Sequence, residues 1–212
     1  AGRDGAFETM AFTYFFRDEQ MLNLALDHVV PTFSARRVLD VWDAGCATGP
    51  EPYTLAILFR QRVGPFLFRN LRIHATDVDL NNTFGEVVQR GVYPAEQLAR
   101  IPEHLLASNF QACDEPGSLQ LVDIVRSRVS FHRHDLLTLE PIGSRFSLIV
   151  CKNVLLHFSE DQRCAVLRMF HASLDEGGYL VMEHTQKLPA SLDHLFTRVT
   201  GEGRLYRKVD GG

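Results

Sequence analysis

Two spacings of apolar residues alternate along the chain: short unbroken runs, and longer stretches in which apolar side chains recur every three or four positions. Unbroken runs suit strands covered on both faces of a parallel sheet, and the longer spacing suits helices packed against it. The runs predict strands over Val38–Trp42, closed by Asp43, and over Phe146–Cys151 and Tyr179–Glu183, and Leu71–Thr76 reads as a second strand ending in Asp77-Val78-Asp79. The longer spacing predicts a helix from Asp18 to about Val30, ended by Pro31, and another over roughly Glu51–Arg62. Two more follow: Leu80–Arg90, stopped by Gly91, and a helix capped by Ser159 and running to Leu174. Glu176-Gly177-Gly178 reads as a turn, and the tail reads as a hairpin of His194–Thr200 and Arg204–Val209 around Gly201-Glu202-Gly203. This alternation predicts a doubly wound α/β fold.

Between residues 92 and 130 the pattern changes. Pro94–Ala99 and Pro102–Phe110 read as short helices, and Asp114-Glu115-Pro116-Gly117 as a turn. Leu119–Val125 and Arg128–His132 alternate and lie close together, which predicts antiparallel pairing. The expected arrangement is one domain over 1–212 with a small antiparallel insertion at about 92–130, a candidate docking element. Residues 1–10 read as weakly ordered. Phe12, Tyr14, Phe15 and Phe16 read as core-packing aromatics, and Thr13 and Arg17 share a face if that piece is helical.

The first strand leads into a turn of small residues, Ala44 to Gly49, where a ligand can approach the backbone. Thr48 and Glu51 have the spacing of a capping box. A turn of this kind at the carboxyl end of the first strand is where doubly wound proteins hold nucleotide-like ligands; a tight turn without a ligand is the plain alternative. Asp77 ends the second strand, where a carboxylate accepts from ribose hydroxyls, or else Asp77 or Asp79 caps the following helix. The Gly-x-Gly-x-x-Gly pattern of oxidoreductases is poorly met, with Gly45, Ala47 and Pro50 at the aligned positions. The turn therefore lacks a phosphate cradle, which points to S-adenosylmethionine over NAD.

Charge narrows the picture. A net charge of -4 argues against a general nucleic-acid binder. No apolar run approaches the roughly 20 residues of a membrane span. The four cysteines have no close pairing and read as small buried thiols in a reducing, cytoplasmic setting. His132, His134 and Asp135 invite a metal reading, but no third convincing ligand stands at metal spacing, so no metal is expected.

Four blocks, in order, resemble the CheR family of S-adenosylmethionine-dependent protein-glutamate methyltransferases, which act on chemotaxis receptors. They are FTYFFRD (Phe12 to Asp18), WDAGCATGPEPYTLA (Trp42 to Ala56), HATDVD (His74 to Asp79) with GVYP (Gly91 to Pro94), and FSLIVCKNVLLHF (Phe146 to Phe158). The similarity extends over nearly the whole chain. It implies a Rossmann-like class I methyltransferase fold: a mostly parallel sheet of about seven strands with a C-terminal hairpin and the small antiparallel β insertion.

The resemblance also implies roles. Thr13 and Arg17 lie near the methionine end of the donor, Ala44 and Gly45 line its pocket, and Glu51 contacts its amino acid portion. Asp77 takes the ribose, Asp135 and Leu136 flank the adenine, and Lys152 and Asn153 are donor-binding, standing where the family has an Arg-Asn pair whose Asn is near the methionine carboxylate and amine. His157 replaces a family tyrosine. The family carries an N-terminal helical domain, and this sequence begins almost at the catalytic part.

The expected acceptor is a carboxylate, on a protein such as a chemoreceptor or on a small molecule. A carboxyl group of reference pKa roughly 4.3 is already ionised at neutral pH and needs no strong base. Arg17 is expected to hold it in a two-pronged fork, unless it forms a surface ion pair with Asp18 or Glu19. His157 is expected to hydrogen-bond the acceptor or act as a base, unless it is only half-buried between strand and helix. A module that binds the donor without catalysis is the alternative function.

Overall fold

The computed structural model describes residues 13–183, 187–201 and 204–209. The expected weak order of residues 1–10, the packing of Phe12 and the tip of the tail hairpin at Glu202-Gly203 lie outside them. A seven-stranded sheet forms the centre, with helices on both faces. Its strands are β1 (Leu39–Ala44), β2 (Leu71–Asp77), β6 (Val129–Arg133), β7 (Phe146–Cys151), β8 (Leu174–Met182), β9 (Phe196–Arg198) and β10 (Leu205–Lys208). Their order is β6-β2-β1-β7-β8-β10-β9. All neighbours pair in parallel except β10, which is antiparallel to both β8 and β9.

The alternation of β1 divides the core. Leu39 and Val41 face the larger cluster with α1 (Glu19–Phe33) and α2 (Pro50–Arg62). Trp42 and Ala44 face the cluster covered by α8 (Glu160–Ser173). Trp42 is fully buried, and its indole N–H donates to Thr76 Oγ1 at 2.9 Å, so a large ring enters the core without an orphaned donor. The Ser159 cap holds as expected, completed by Gln162 into a capping box.

Several expectations change for local reasons. α1 passes through Pro31 to Phe33, and Phe33 is drawn into the core. β1 includes Asp43, which is buried within the strand and does not close it. Gly49, at φ 98°, is the cap of α2, and Thr48 makes no side-chain cap: Pro50 follows at the first helical position, and the Thr48 carbonyl accepts from Tyr93 Oη. The helix expected from Leu80 is α4 (Phe84–Arg90), which follows the short α3 (Pro65–Arg69). Asp79 and Asn82 turn with positive φ, and the Asp79 carboxylate accepts from the backbone N–H of Thr83, Phe84 and Gly85.

Arg128–His132 does not pair with the strand before it. α7 (Asp123–Arg126) breaks that connection, and β6 runs parallel to β2 at the sheet edge. The antiparallel insertion is instead a three-stranded sheet of β3 (Val92–Pro94), β4 (Phe110–Ala112) and β5 (Ser118–Leu121), in the order β3-β5-β4. Between β3 and β4 lie the expected short helices, α5 (Ala95–Leu98) and α6 (Glu103–Asn109). The Glu176-Gly177-Gly178 turn is absorbed into β8 as a register shift against β7, with Gly177 at φ 67°.

Asp79→Ala removes the acceptor of three N–H groups at the start of α4. It is expected to lower unfolding free energy by about 2 kcal/mol in urea titration, and Asp79→Asn by less.

Candidate functional site

Parallel strands in register place the ends of β1 and β2 side by side, with Ala44 opposite Thr76. The chain leaving β1 folds back onto that end: Gly45 N and Cys46 N both donate to the Thr76 carbonyl, at 2.8 and 3.0 Å. Ala47 N then donates to Asp77 Oδ2 at 2.9 Å, and Val78 N to Asp77 Oδ1 at 2.8 Å. Burial pushes the Asp77 carboxyl above its ordinary value, against the pull of these amides. The helix-capping role left open for Asp77 falls to Asp79.

Gly45, at φ 100°, must be glycine for a second reason. A Cβ there would stand 2.1 Å from Val154 Cγ2, so the close neighbour is this chain's own β7 loop.

A cleft of about 440 Å³ opens at this edge. Of the residues singled out in the sequence, Thr13, Arg17, Gly45, Glu51, Asp77, Lys152, Asn153 and His157 line it. Ala44, Asp135 and Leu136 do not. Ala44 and Leu136 are buried in the core cluster under α8, and the Asp135 carboxylate caps a 3-10 turn through Leu137 N at 2.9 Å. Val78, Leu80 and Phe84, not singled out, supply an apolar wall. Leu80 is 59% exposed, an uncovered apolar side chain at the cleft. Its signal in the sequence is only that it directly follows Asp79.

The segment before α1 is not helical at Thr13–Arg17, so those two residues reach the cleft through a turn. Phe16 and Asp18 have φ of 60° and 53°, and Phe16 N donates to Thr54 Oγ1 on α2 at 3.0 Å. Arg17 Nη2 donates to Asn153 Oδ1 at 3.3 Å. Asp18 pairs with Lys152 at 3.3 Å, and Glu19 accepts from Asn23. Lys152 Nζ also donates to Glu51 Oε2 at 2.6 Å. His157, on a 3-10 turn after β7, is exposed.

Asp43 was not singled out as a site residue, yet it lies fully buried beneath this cluster with both carboxylate oxygens unpaired. Burial, then the Glu51 and Asp77 carboxylates, push its carboxyl well above the ordinary 3.8, and the Lys152 ammonium opposes them. Burial likewise pushes the Cys46 and Cys151 thiols up, which leaves them unreactive. His132 stacks on His74 and His134 packs edge-on to Trp42. Among the described residues no group of three or more His, Cys, Asp or Glu could hold a metal.

Residues 11–204 match the family described as CheR methyltransferase, SAM binding domain. The chain belongs to the CheR family. It is 30% identical over 200 residues to chemotaxis protein methyltransferase 1 of Vibrio cholerae, an alignment covering 92% of this chain and 71% of the relative. It is 31% identical over 188 residues to a chemotaxis protein methyltransferase of Listeria innocua, covering 88% and 69%. The fold also resembles that of the rRNA methyltransferase aviRa from Streptomyces viridochromogenes. That match has a TM-score of 0.54 and 13% identity, over 93% of this chain and 85% of that one. The chain is thus an S-adenosylmethionine-dependent methyltransferase.

The CheR cleft fits that donor on its own chemistry. It offers a carboxylate at the end of β2, an apolar wall with an uncovered leucine, and a charged end where Arg17, Glu51 and Asn153 meet. Among the described residues no helix is long and apolar enough to cross a membrane.

Asp43 keeps its proton in the folded chain to a higher pH than in the unfolded chain. Its contribution to stability is therefore present below about pH 4 and lost as pH rises toward the folded value. Asp43→Asn, which cannot ionise, is expected to raise Tm relative to the parent, by more at pH 8 than at pH 5. Calorimetric melts at the two pH values check this.

Proposed function

We propose that this chain methylates a side-chain carboxylate of a protein, a chemoreceptor glutamate in the first instance. The observation that carries this reading is Arg17. Its planar guanidinium lines the donor cleft, anchored to the Asn153 amide, and a guanidinium fork matches a carboxylate. The names of the relatives, chemotaxis protein methyltransferases, support the same acceptor.

In this reading Asp77 accepts from the ribose, Val78, Leu80 and Phe84 cover the adenosyl portion, and Glu51 and Asn153 hold the amino acid end. S-adenosylmethionine supplies, when bound, a methyl group activated by its sulfonium. The chain orients the acceptor and excludes water. An acceptor carboxylate attacks as the anion it already is, so no residue has to remove a proton, and His157 donates a hydrogen bond to the acceptor. Partner docking falls to the inserted sheet. Its outer strands β3 and β4 have no further strand partner among the described residues, and such edges are open to contact.

Incubation with labelled S-adenosylmethionine and a chemoreceptor cytoplasmic fragment is the direct test. Base-labile label on glutamate supports the reading, and donor binding without transfer to any carboxylate overturns it. Asp77→Ala is expected to weaken S-adenosylhomocysteine binding by about a hundredfold or more in calorimetry, with the far-UV spectrum unchanged. His157→Tyr is expected to retain kcat within about threefold, and kcat/KM of the parent to stay level above about pH 6, in a pH–rate series.

A further inference from the structure

Lys152 follows directly after β7, and its side chain is only 1% exposed although the residue borders the cleft. An ammonium has three N–H donors. Those of Lys152 meet three acceptors of this chain: Glu51 Oε2 at 2.6 Å, Asp18 Oδ2 at 3.3 Å and the Arg17 carbonyl at 3.4 Å. Burial disfavours its charge, but the Glu51 and Asp18 carboxylates outweigh burial and lift it above its ordinary value. Nothing is left over for a ligand.

The acceptors come from separate places. Glu51 is in the first turn of α2, and Arg17 and Asp18 belong to the turn before α1. Asp18 stands at the N-cap of α1, yet it has left-handed backbone geometry and makes no side-chain cap. Its carboxylate is directed to Lys152. Phe16 is left-handed too. A non-glycine turn of this kind persists where neighbours over-determine it. The neighbours here are Thr54, which holds Phe16 N, and the consecutive pair Lys152 and Asn153. Lys152 takes the backbone carbonyl of Arg17, and Asn153 takes its guanidinium.

We infer that Lys152 is a positioning residue and not a donor contact: it clamps the Thr13–Asp18 turn to Glu51, which keeps Arg17 in the cleft. The role of Arg17 rests on the acceptor reading above. The clamp itself does not, since it concerns only how the turn is held.

Amide hydrogen exchange over residues 14–19, with S-adenosylhomocysteine calorimetry on the same variants, tests it. Lys152→Met is expected to speed exchange there by about tenfold or more and to weaken S-adenosylhomocysteine by about tenfold. Lys152→Arg, which still donates to both carboxylates, is expected to restore both within about threefold. Asp18 is not itself part of the cleft lining, and Asp18→Asn is expected to speed exchange over the same amides. Combined with Lys152→Met it adds little further.

If Lys152→Met weakens the ligand while exchange at 14–19 is unchanged, the lysine is a direct contact and the inference fails. It fails equally if Asp18→Asn leaves that exchange unchanged, a result obtainable even if Lys152→Met does not fold. Failure of the parent to transfer methyl to a carboxylate sinks the acceptor reading alone.

Discussion

The in-register parallel pairing of β1 with β2 is the constraint from which the site follows. Because Ala44 stands opposite Thr76, the turn leaving one strand and the carboxylate ending the other arrive at the same height. One carbonyl, that of Thr76, then accepts two successive amides of the turn, and Asp77 takes the next, from Ala47. A slip of one residue would put Trp42 and Thr76 on opposite faces of the sheet and separate Asp77 from the loop it holds. The cleft is therefore a by-product of sheet geometry, and the side chains around it refine what the backbone has already set out.

Electrostatics at the far end of the cleft show an unequal balance. Three carboxylates, those of Asp18, Glu51 and Asp43, gather near one buried lysine. Two are bonded to it, and the third, Asp43, is fully buried, with burial and the Glu51 carboxylate pushing its carboxyl well above the ordinary value. Burial of an unpaired charge is costly, and neutralisation by protonation is the ordinary escape.

Much of this was legible in the chain. The strand β7 announced itself as an apolar run because both of its faces are covered, and Asp77 stood out because it ends β2. Other features were hidden for physical reasons. Pro31 reads as a helix end, but α1 runs past it to Phe33, which is drawn into the core. β6 alternates like half of a hairpin because it is an edge strand with one open face, and only three-dimensional packing shows that its partner is β2. The sequence placed Asp43 at the close of a strand; its side chain points toward the helix bearing Glu51, a consequence of alternation from Val41 that no motif records. Asp135 and Leu136 came from resemblance alone, and local packing draws them away from the cleft wall.

The contact between Gly45 and Val154 has a consequence for the history of the sequence. The two residues lie far apart along the chain and compete for one small volume. Enlarging either requires the other to shrink, and glycine has nothing left to give. A smaller residue at 154 would free space yet not release position 45, whose backbone still sits at φ 100°. Drift at these two places is therefore one-sided: the valine can change first, and the glycine cannot follow.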